Sequence, residues 1–103
     1  MSQINQYHQL SGEISKLITH RYSTSFTKGI QLLHGSLHHE IYSIYGFVRL
    51  ADEIVDTFHG HDKKALLDQL KEQTWQAIEE KISTNPVLHA FQITYHKFQL
   101  DRK

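Results

Sequence analysis

Several features that define other classes of protein are missing from this chain of 103 residues. It has no cysteine, which excludes a disulfide scaffold and a thiolate metal site and is compatible with a reducing compartment. No apolar run approaches the ~20 residues of a membrane span, and residues 1–10 lack the basic start and apolar core of a signal peptide. The sequence therefore predicts a cytoplasmic protein, with peripheral contact to a membrane left open.

An excess of charge is also missing, because eleven basic residues balance eleven acidic ones. No binding surface for nucleic acid is therefore expected. Hydrophobic residues make up 39% of the chain, which is too apolar for a disordered protein. The chain contains only one proline and five glycines, the residues that most often interrupt helices. The sequence therefore predicts long helices with short connections.

Apolar residues recur at helical spacing in five segments, which predicts a single all-α domain of about five helices. The predicted helices cover residues 3–21, a shorter segment through Phe26, Ile30 and Leu33, residues 37–58, residues 62–83, and a segment through Leu88, Phe91, Tyr95 and Phe98. Pro86 is expected in the first turn of this fifth helix. Gly35 is expected to end the second helix, while Ser36 and Asp62 are expected to cap the third and fourth helices.

The third predicted helix differs from the others in composition. Residues 41–58 contain no lysine and are apolar around most of the helix circumference. One side carries Ile44, Val48, Ala51 and Val55, and another carries Phe47, Leu50 and Ile54. A helix of this kind is normally buried, so we expect burial on both sides.

A narrow polar strip runs along this apolar helix. It consists of Tyr45, Arg49, Asp52 and Asp56, which lie within about 60° of one another on an ideal helix, with Glu53 at the edge. Two carboxylates one turn apart can both reach toward magnesium, which prefers oxygen ligands and shares its shell with substrate phosphates. An arginine nearby can hold a diphosphate oxygen by paired hydrogen bonds. The strip thus suits ionisation of an allylic diphosphate, but the same pattern is also typical of a solvated helix face with an Arg49–Asp52 ion pair.

Three motifs in this region resemble those of the squalene/phytoene synthase family in residue type, order and interval. They are Ser23-Thr24-Ser25-Phe26, Tyr45-Gly46-Phe47-Val48-Arg49 and Asp52-Glu53-Ile54-Val55-Asp56. The resemblance implies an isoprenoid-synthase-type helical bundle around a central cavity, and head-to-head condensation of two molecules of geranylgeranyl or farnesyl diphosphate. The stretch is most similar to that of a phytoene synthase, with squalene and dehydrosqualene synthase as alternatives.

The resemblance also implies a role for individual residues. Asp52 and Asp56 would be the catalytic carboxylates that bind Mg²⁺, Arg49, Ser23 and Ser25 would bind the substrate diphosphate, and Phe26 and Tyr45 would line the prenyl cavity. Apart from the family, the two serines fit helix caps and the two aromatic residues fit ordinary core positions. Some relatives carry a basic residue at the position of Tyr22, and this chain has no basic side chain there to make the corresponding contact.

The family's second aspartate-rich helix has no counterpart in this sequence, since Asp62, Asp68 and Asp101 do not form such a motif. Residues 1–103 are therefore interpreted as the N-terminal portion of a single prenyl synthase domain whose C-terminal portion is absent. We expect negligible synthase activity from these residues alone. The alternative is a non-catalytic helical interaction module, and loss of the rest of a bundle would favour self-association through exposed apolar surface.

Nine histidines are many for this length, and the spacing within two pairs makes them candidate zinc ligands. His34 and His38 are four residues apart, and His59 and His61 flank a glycine. No cysteine or clear third ligand accompanies either pair, so surface histidines are the favoured interpretation over a structural zinc site.

Overall fold

A computed structural model of the chain describes residues 2–98 and consists, over that range, of α-helices and one short 3-10 helix. The elements are α1 (Gln3–Tyr22), α2 (Thr24–Gln31), the 3-10 helix Gly35–Leu37, α3 (His38–Thr57), α4 (Lys63–Glu80) and α5 (Pro86–Lys97). The prediction of an all-α fold with about five helices is confirmed. No helix within residues 2–98 has both the length and the apolar composition needed to cross a bilayer. Asp101 lies outside the described residues.

Side-chain caps explain where four of the helices begin. Ser2, Ser23 and Asp62 each accept a hydrogen bond from the backbone N–H three residues later, at 3.2, 3.0 and 3.0 Å. Asn85 caps α5 in the same way, and Pro86 occupies the first position of that helix, where its missing N–H costs nothing. The predicted cap at Asp62 is therefore confirmed.

The connection between α2 and α3 differs from the prediction. Helix α2 ends at Gln31 and does not extend to Leu33. Ser36 lies inside the 3-10 helix and does not cap α3, which begins without a side-chain cap. The reason is that His34 takes the capping role, since its Nδ1 accepts a hydrogen bond from the Ser36 N–H at 3.2 Å.

Helix α1 packs through small polar residues, while its two leucines face outward. Leu10 and Leu17 are 48% and 59% exposed, whereas Ser11, Ser15 and Thr19 are fully buried. These small side chains let α1 approach α3 closely: a Cβ added at Gly46 of α3 would lie 3.1 Å from the Ser15 Oγ and 3.2 Å from its Cβ. The two helices therefore pack almost backbone to backbone, which fixes the end of α1 against α3.

The apolar core lies between α3, α4 and α5. Ile54, Leu70, Ala77 and Leu88 form its centre, and Phe47, Leu50, Ala51, Leu66 and Leu67 pack around them. Helix α5 contacts α1, α3 and α4, so it occupies the middle of the assembly. The predicted side of α3 with Phe47, Leu50 and Ile54 is thus the one that faces the core.

Apart from Ala51, which packs against the core, the other apolar side of α3 is exposed, so the prediction of burial on both sides is wrong. Ile44, Val48 and Val55 are 41%, 46% and 48% exposed. The physical reason is that α1, α4 and α5 pack against one side of α3, and no helix among residues 2–98 covers the other side. Exposed apolar surface on a helix that carries a polar strip is a feature of binding sites as well as of interfaces.

A buried histidine joins α5 to α1 and to the loop before α5. His89 is fully buried, and its Nδ1 accepts a hydrogen bond from the Ser83 N–H at 3.2 Å. Because Nδ1 accepts, the proton of the neutral ring lies on Nε2, which donates to Nδ1 of His8 at 2.8 Å. Burial, together with the nearby His8, lowers the pKa of His89 below the ordinary value for histidine.

We expect the free energy of unfolding to decrease as the pH falls from about 7 toward about 5. His89 titrates at a lower pH in the folded chain than in the unfolded one, so the unfolded state binds more protons in this range and stability is lost. In His89→Asn the side chain at this position cannot be protonated, so the free energy of unfolding should change less with pH. The variant His59→Asn, at an exposed position, should not have this effect. Urea denaturation at several pH values in this range measures how the free energy of unfolding changes with pH. The same change with pH for His89→Asn and the wild type would contradict a lowered pKa of His89 in the folded chain.

Candidate functional site

The polar strip of α3 faces the junction between α1 and α2. Two ring contacts define this orientation. The ring of Tyr45 stacks on that of Phe26 in α2, with centroids 4.7 Å apart, and the Arg49 Cζ lies 4.6 Å from the centre of the Tyr22 ring at the end of α1. Residues that are distant in the sequence therefore meet along one side of α3.

Arg49 is held by an acid of its own helix. Its Nη2 donates to the Glu53 Oε1 at 2.7 Å, while its Nη1 is 3.9 Å from the nearest Asp52 oxygen. The Tyr22 hydroxyl donates to the second Glu53 oxygen at 3.2 Å. We call these three side chains, Tyr22, Arg49 and Glu53, the arginine clamp. The principal partner of Arg49 is thus Glu53 and not Asp52.

The hydrogen bond between Arg49 and Glu53 favours the charged form of both side chains. The hydrogen bond from Arg49 lowers the pKa of Glu53 below its ordinary value, against the opposing effect of partial desolvation. The same hydrogen bond raises the pKa of Arg49 above its usual value, so the guanidinium stays charged at every physiological pH. The Arg49 Nε is buried and has no hydrogen-bond partner among the described residues.

Asp52 and Asp56 lie one helical turn apart and are open to solvent. The Asp52 side chain is 55% exposed, and Asp56 is also exposed. Within residues 2–98, Asp56 makes no hydrogen bond or ion pair, and no three His, Cys, Asp or Glu side chains form a ready metal site. Two exposed carboxylates supply part of the oxygen shell that Mg²⁺ prefers and leave the remainder to water or phosphate. The donor set therefore fits Mg²⁺ bound together with a phosphate ligand.

The predicted diphosphate-binding serines lie at the start of α2. The Ser23 Oγ accepts a hydrogen bond from the Phe26 N–H at 3.0 Å, so this oxygen acts as a helix cap. Its hydroxyl hydrogen remains able to donate to a ligand. Ser25 is exposed and its side chain makes no hydrogen bond among the described residues.

The predicted cavity residues Phe26 and Tyr45 are brought into contact by the fold. Phe26 is 41% exposed, and Tyr45 is partly buried. Val48 lies one turn after Tyr45 on the exposed apolar side of α3, so aromatic and aliphatic surface is continuous beside the strip.

In the part of the chain that the structure describes, His34 and His38 form hydrogen bonds with different partners. The His34 Nδ1 contacts the Ser36 Oγ at 2.9 Å, and the His38 Nε2 donates to the Leu33 carbonyl at 2.9 Å. His59 and His61 are exposed in the turn between α3 and α4.

Two members of the arginine clamp were not assigned a role by the sequence. Glu53 follows Arg49 by four residues, a spacing at which helix side chains meet, so this pair could have been predicted. Tyr22 reaches Arg49 only through the packing of α1 on α3, and no local pattern signals that contact.

One of three comparisons with known proteins found a match. Residues 19–103 match the family described as squalene/phytoene synthase. No match was found among curated proteins or among solved structures. The matched range includes the end of α1 and all of α2 and α3, and therefore the arginine clamp, both serines and both aspartates. Because most of its length matches, and because its fold is all-α, the chain belongs to the squalene/phytoene synthase family.

Proposed function

We propose that the chain supplies one half of a prenyl diphosphate site, in which the strip of α3 binds Mg²⁺ together with the substrate diphosphate. The observation that carries the proposal is the pair Asp52 and Asp56, exposed one turn apart beside a charged arginine. The reaction would be head-to-head condensation of the phytoene synthase type, acting on geranylgeranyl or farnesyl diphosphate. Squalene or dehydrosqualene synthesis is the alternative within the family.

Each polar residue has a distinct task in this proposal. Asp52 and Asp56 would hold Mg²⁺, which when bound neutralises the diphosphate and stabilises it as a leaving group. Arg49 would donate from Nη1, because Nη2 is already engaged by Glu53. Ser23 and Ser25 would donate their hydroxyl hydrogens to further diphosphate oxygens.

The apolar surface beside the strip would contact the prenyl chain. Phe26, Tyr45 and Val48 form continuous aromatic and aliphatic surface next to the acidic pair. Such surface excludes water from a carbocation formed when diphosphate departs, and so protects it from premature hydrolysis. The diphosphate would then leave next to the surface that holds the hydrocarbon.

A second Asp-x-x-x-Asp motif does not occur in the sequence. We propose on this ground that residues 1–103 are the N-terminal portion of one prenyl synthase domain. Alone they would bind a prenyl diphosphate but form no detectable condensation product. Magnesium-dependent turnover by the 103-residue chain would refute this part of the proposal. A cytoplasmic location, with peripheral contact to a membrane left open, also remains a prediction.

Isothermal calorimetry with a non-hydrolysable geranylgeranyl diphosphate analogue tests the proposal. We expect affinity to rise at least about tenfold when Mg²⁺ is present, equivalent to about 1.4 kcal/mol. The same titration with inorganic diphosphate separates the contribution of the strip from that of the apolar surface. Equal affinity with and without Mg²⁺ would argue against the site and in favour of a helical interaction module.

A further inference from the structure

Three carboxylates follow Arg49 on its own helix, and its close contact is with the one at the edge of the strip. Asp52, Glu53 and Asp56 follow it by three, four and seven residues. The short contact of 2.7 Å is to Glu53, whereas Asp52 is 3.9 Å away. The polar strip thus contains an arginine next to two acids that it does not neutralise by a close ion pair.

Tyr22 favours this choice from the neighbouring helix. Its ring lies against the Arg49 guanidinium, and its hydroxyl donates to the Glu53 oxygen that Arg49 leaves free. A cation on an aromatic face and a carboxylate with both oxygens occupied are each stabilising, and together they fix one arrangement of two flexible side chains. Because α1 is packed tightly on α3 at Ser15 and Gly46, the position of Tyr22 is set by the fold.

We infer that Glu53 and Tyr22 are positioning residues that hold Arg49 away from Asp52 and Asp56. Both carboxylates thereby stay available to a divalent cation, and the Arg49 Nη1 stays available to a diphosphate oxygen. Without Glu53, the nearest anion for the guanidinium is Asp52, and a guanidinium paired there competes with the cation. This inference rests on the proposed function of the strip.

A double-mutant cycle on metal binding tests the inference. The four proteins are the wild-type chain, Glu53→Gln, Arg49→Gln and the double variant, and the probe is Mn²⁺ alone, followed by water-proton relaxation. Glu53→Gln is expected to weaken Mn²⁺ binding about fivefold or more when Arg49 is present and less than about twofold when it is replaced. Circular dichroism checks that each variant keeps its helical content.

The effect of Glu53→Gln with and without Arg49 distinguishes a change in the ion-pair partner of Arg49 from the simple loss of one negative charge. Removing one distant negative charge weakens cation binding by the same factor whether or not Arg49 is present, so equal factors would overturn the inference and leave the proposed function intact. Failure of the wild-type chain to bind Mn²⁺ would instead refute the proposed function, and the inference with it.

An NMR signal of Arg49 gives a readout that does not depend on metal. In the wild-type chain the ring current of Tyr22 should shift the Arg49 Hε resonance upfield. This shift should disappear in Tyr22→Leu, and it should decrease in Glu53→Gln as the guanidinium moves toward Asp52. An Hε resonance that is unchanged in Glu53→Gln would overturn the inference.

Discussion

The double variant Asp52→Asn/Asp56→Asn is expected to lose at least about hundredfold in magnesium-dependent affinity for diphosphate, about 2.7 kcal/mol. Asparagine keeps the size of the side chain but removes the negative charge that draws Mg²⁺ to oxygen ligands. The fold should be unaffected, because both aspartates are exposed and neither makes a short ion pair. Calorimetry with inorganic diphosphate and Mg²⁺ measures the change.

A matched control exists on α4. Asp68 and Glu72 are also exposed acids four residues apart, and Asp68→Asn/Glu72→Gln removes the same two charges. The Asp68 ion pair with Lys64 is exposed and so contributes little to stability. This control should bind diphosphate and Mg²⁺ like the wild type. Equal losses in both double variants would show that net charge matters and the strip does not.

Gly46→Leu is expected to destabilise the chain by about 2–3 kcal/mol, a large part of the total for a small domain. Its side chain would enter the contact between α1 and α3, where a Cβ alone already lies 3.1 Å from the Ser15 Oγ. Helix α1 would have to move away and expose Ser11, Ser15 and Thr19. Since Tyr22 ends the same helix, its contact with Arg49 should weaken as well.

Gly29→Leu provides the comparison for this variant. Gly29 also lies within a helix, α2, but a Cβ there meets no atom within 4 Å. Leucine is the better helix former by about 1 kcal/mol, so this change should be neutral or slightly stabilising. Urea denaturation measures both, and similar losses for the two glycines would contradict the close packing of α1 on α3.

Apart from the connection between α2 and α3, the local features of the fold and of the polar strip followed from sequence patterns. Helical periodicity predicted the five helices, and the residue types at Asp62 and Pro86 predicted where two of them begin. The steps from Arg49 to Asp52 and Asp56 placed the strip on one side of α3, since such spacing depends only on helix geometry.

Features that depend on tertiary packing were not predictable in this way. Ser11, Ser15 and Thr19 read as surface residues in a hydrophobicity pattern, yet their small size is what allows α1 to approach α3. The clamp on Arg49 needs Tyr22 from another helix. Burial of α3 was predicted from composition alone, which does not reveal which of its sides has a helix packed against it.

Locating a bound metal along the chain is the most direct test of the central claim. Mn²⁺ and inorganic diphosphate would be added to the isotope-labelled chain, and paramagnetic broadening of backbone amide signals would be followed by NMR. We expect the strongest broadening of amide signals at residues 49–56 and at Tyr22 and Ser23. Broadening centred on Asp68 and Glu72, or on the histidines between α3 and α4, would contradict it.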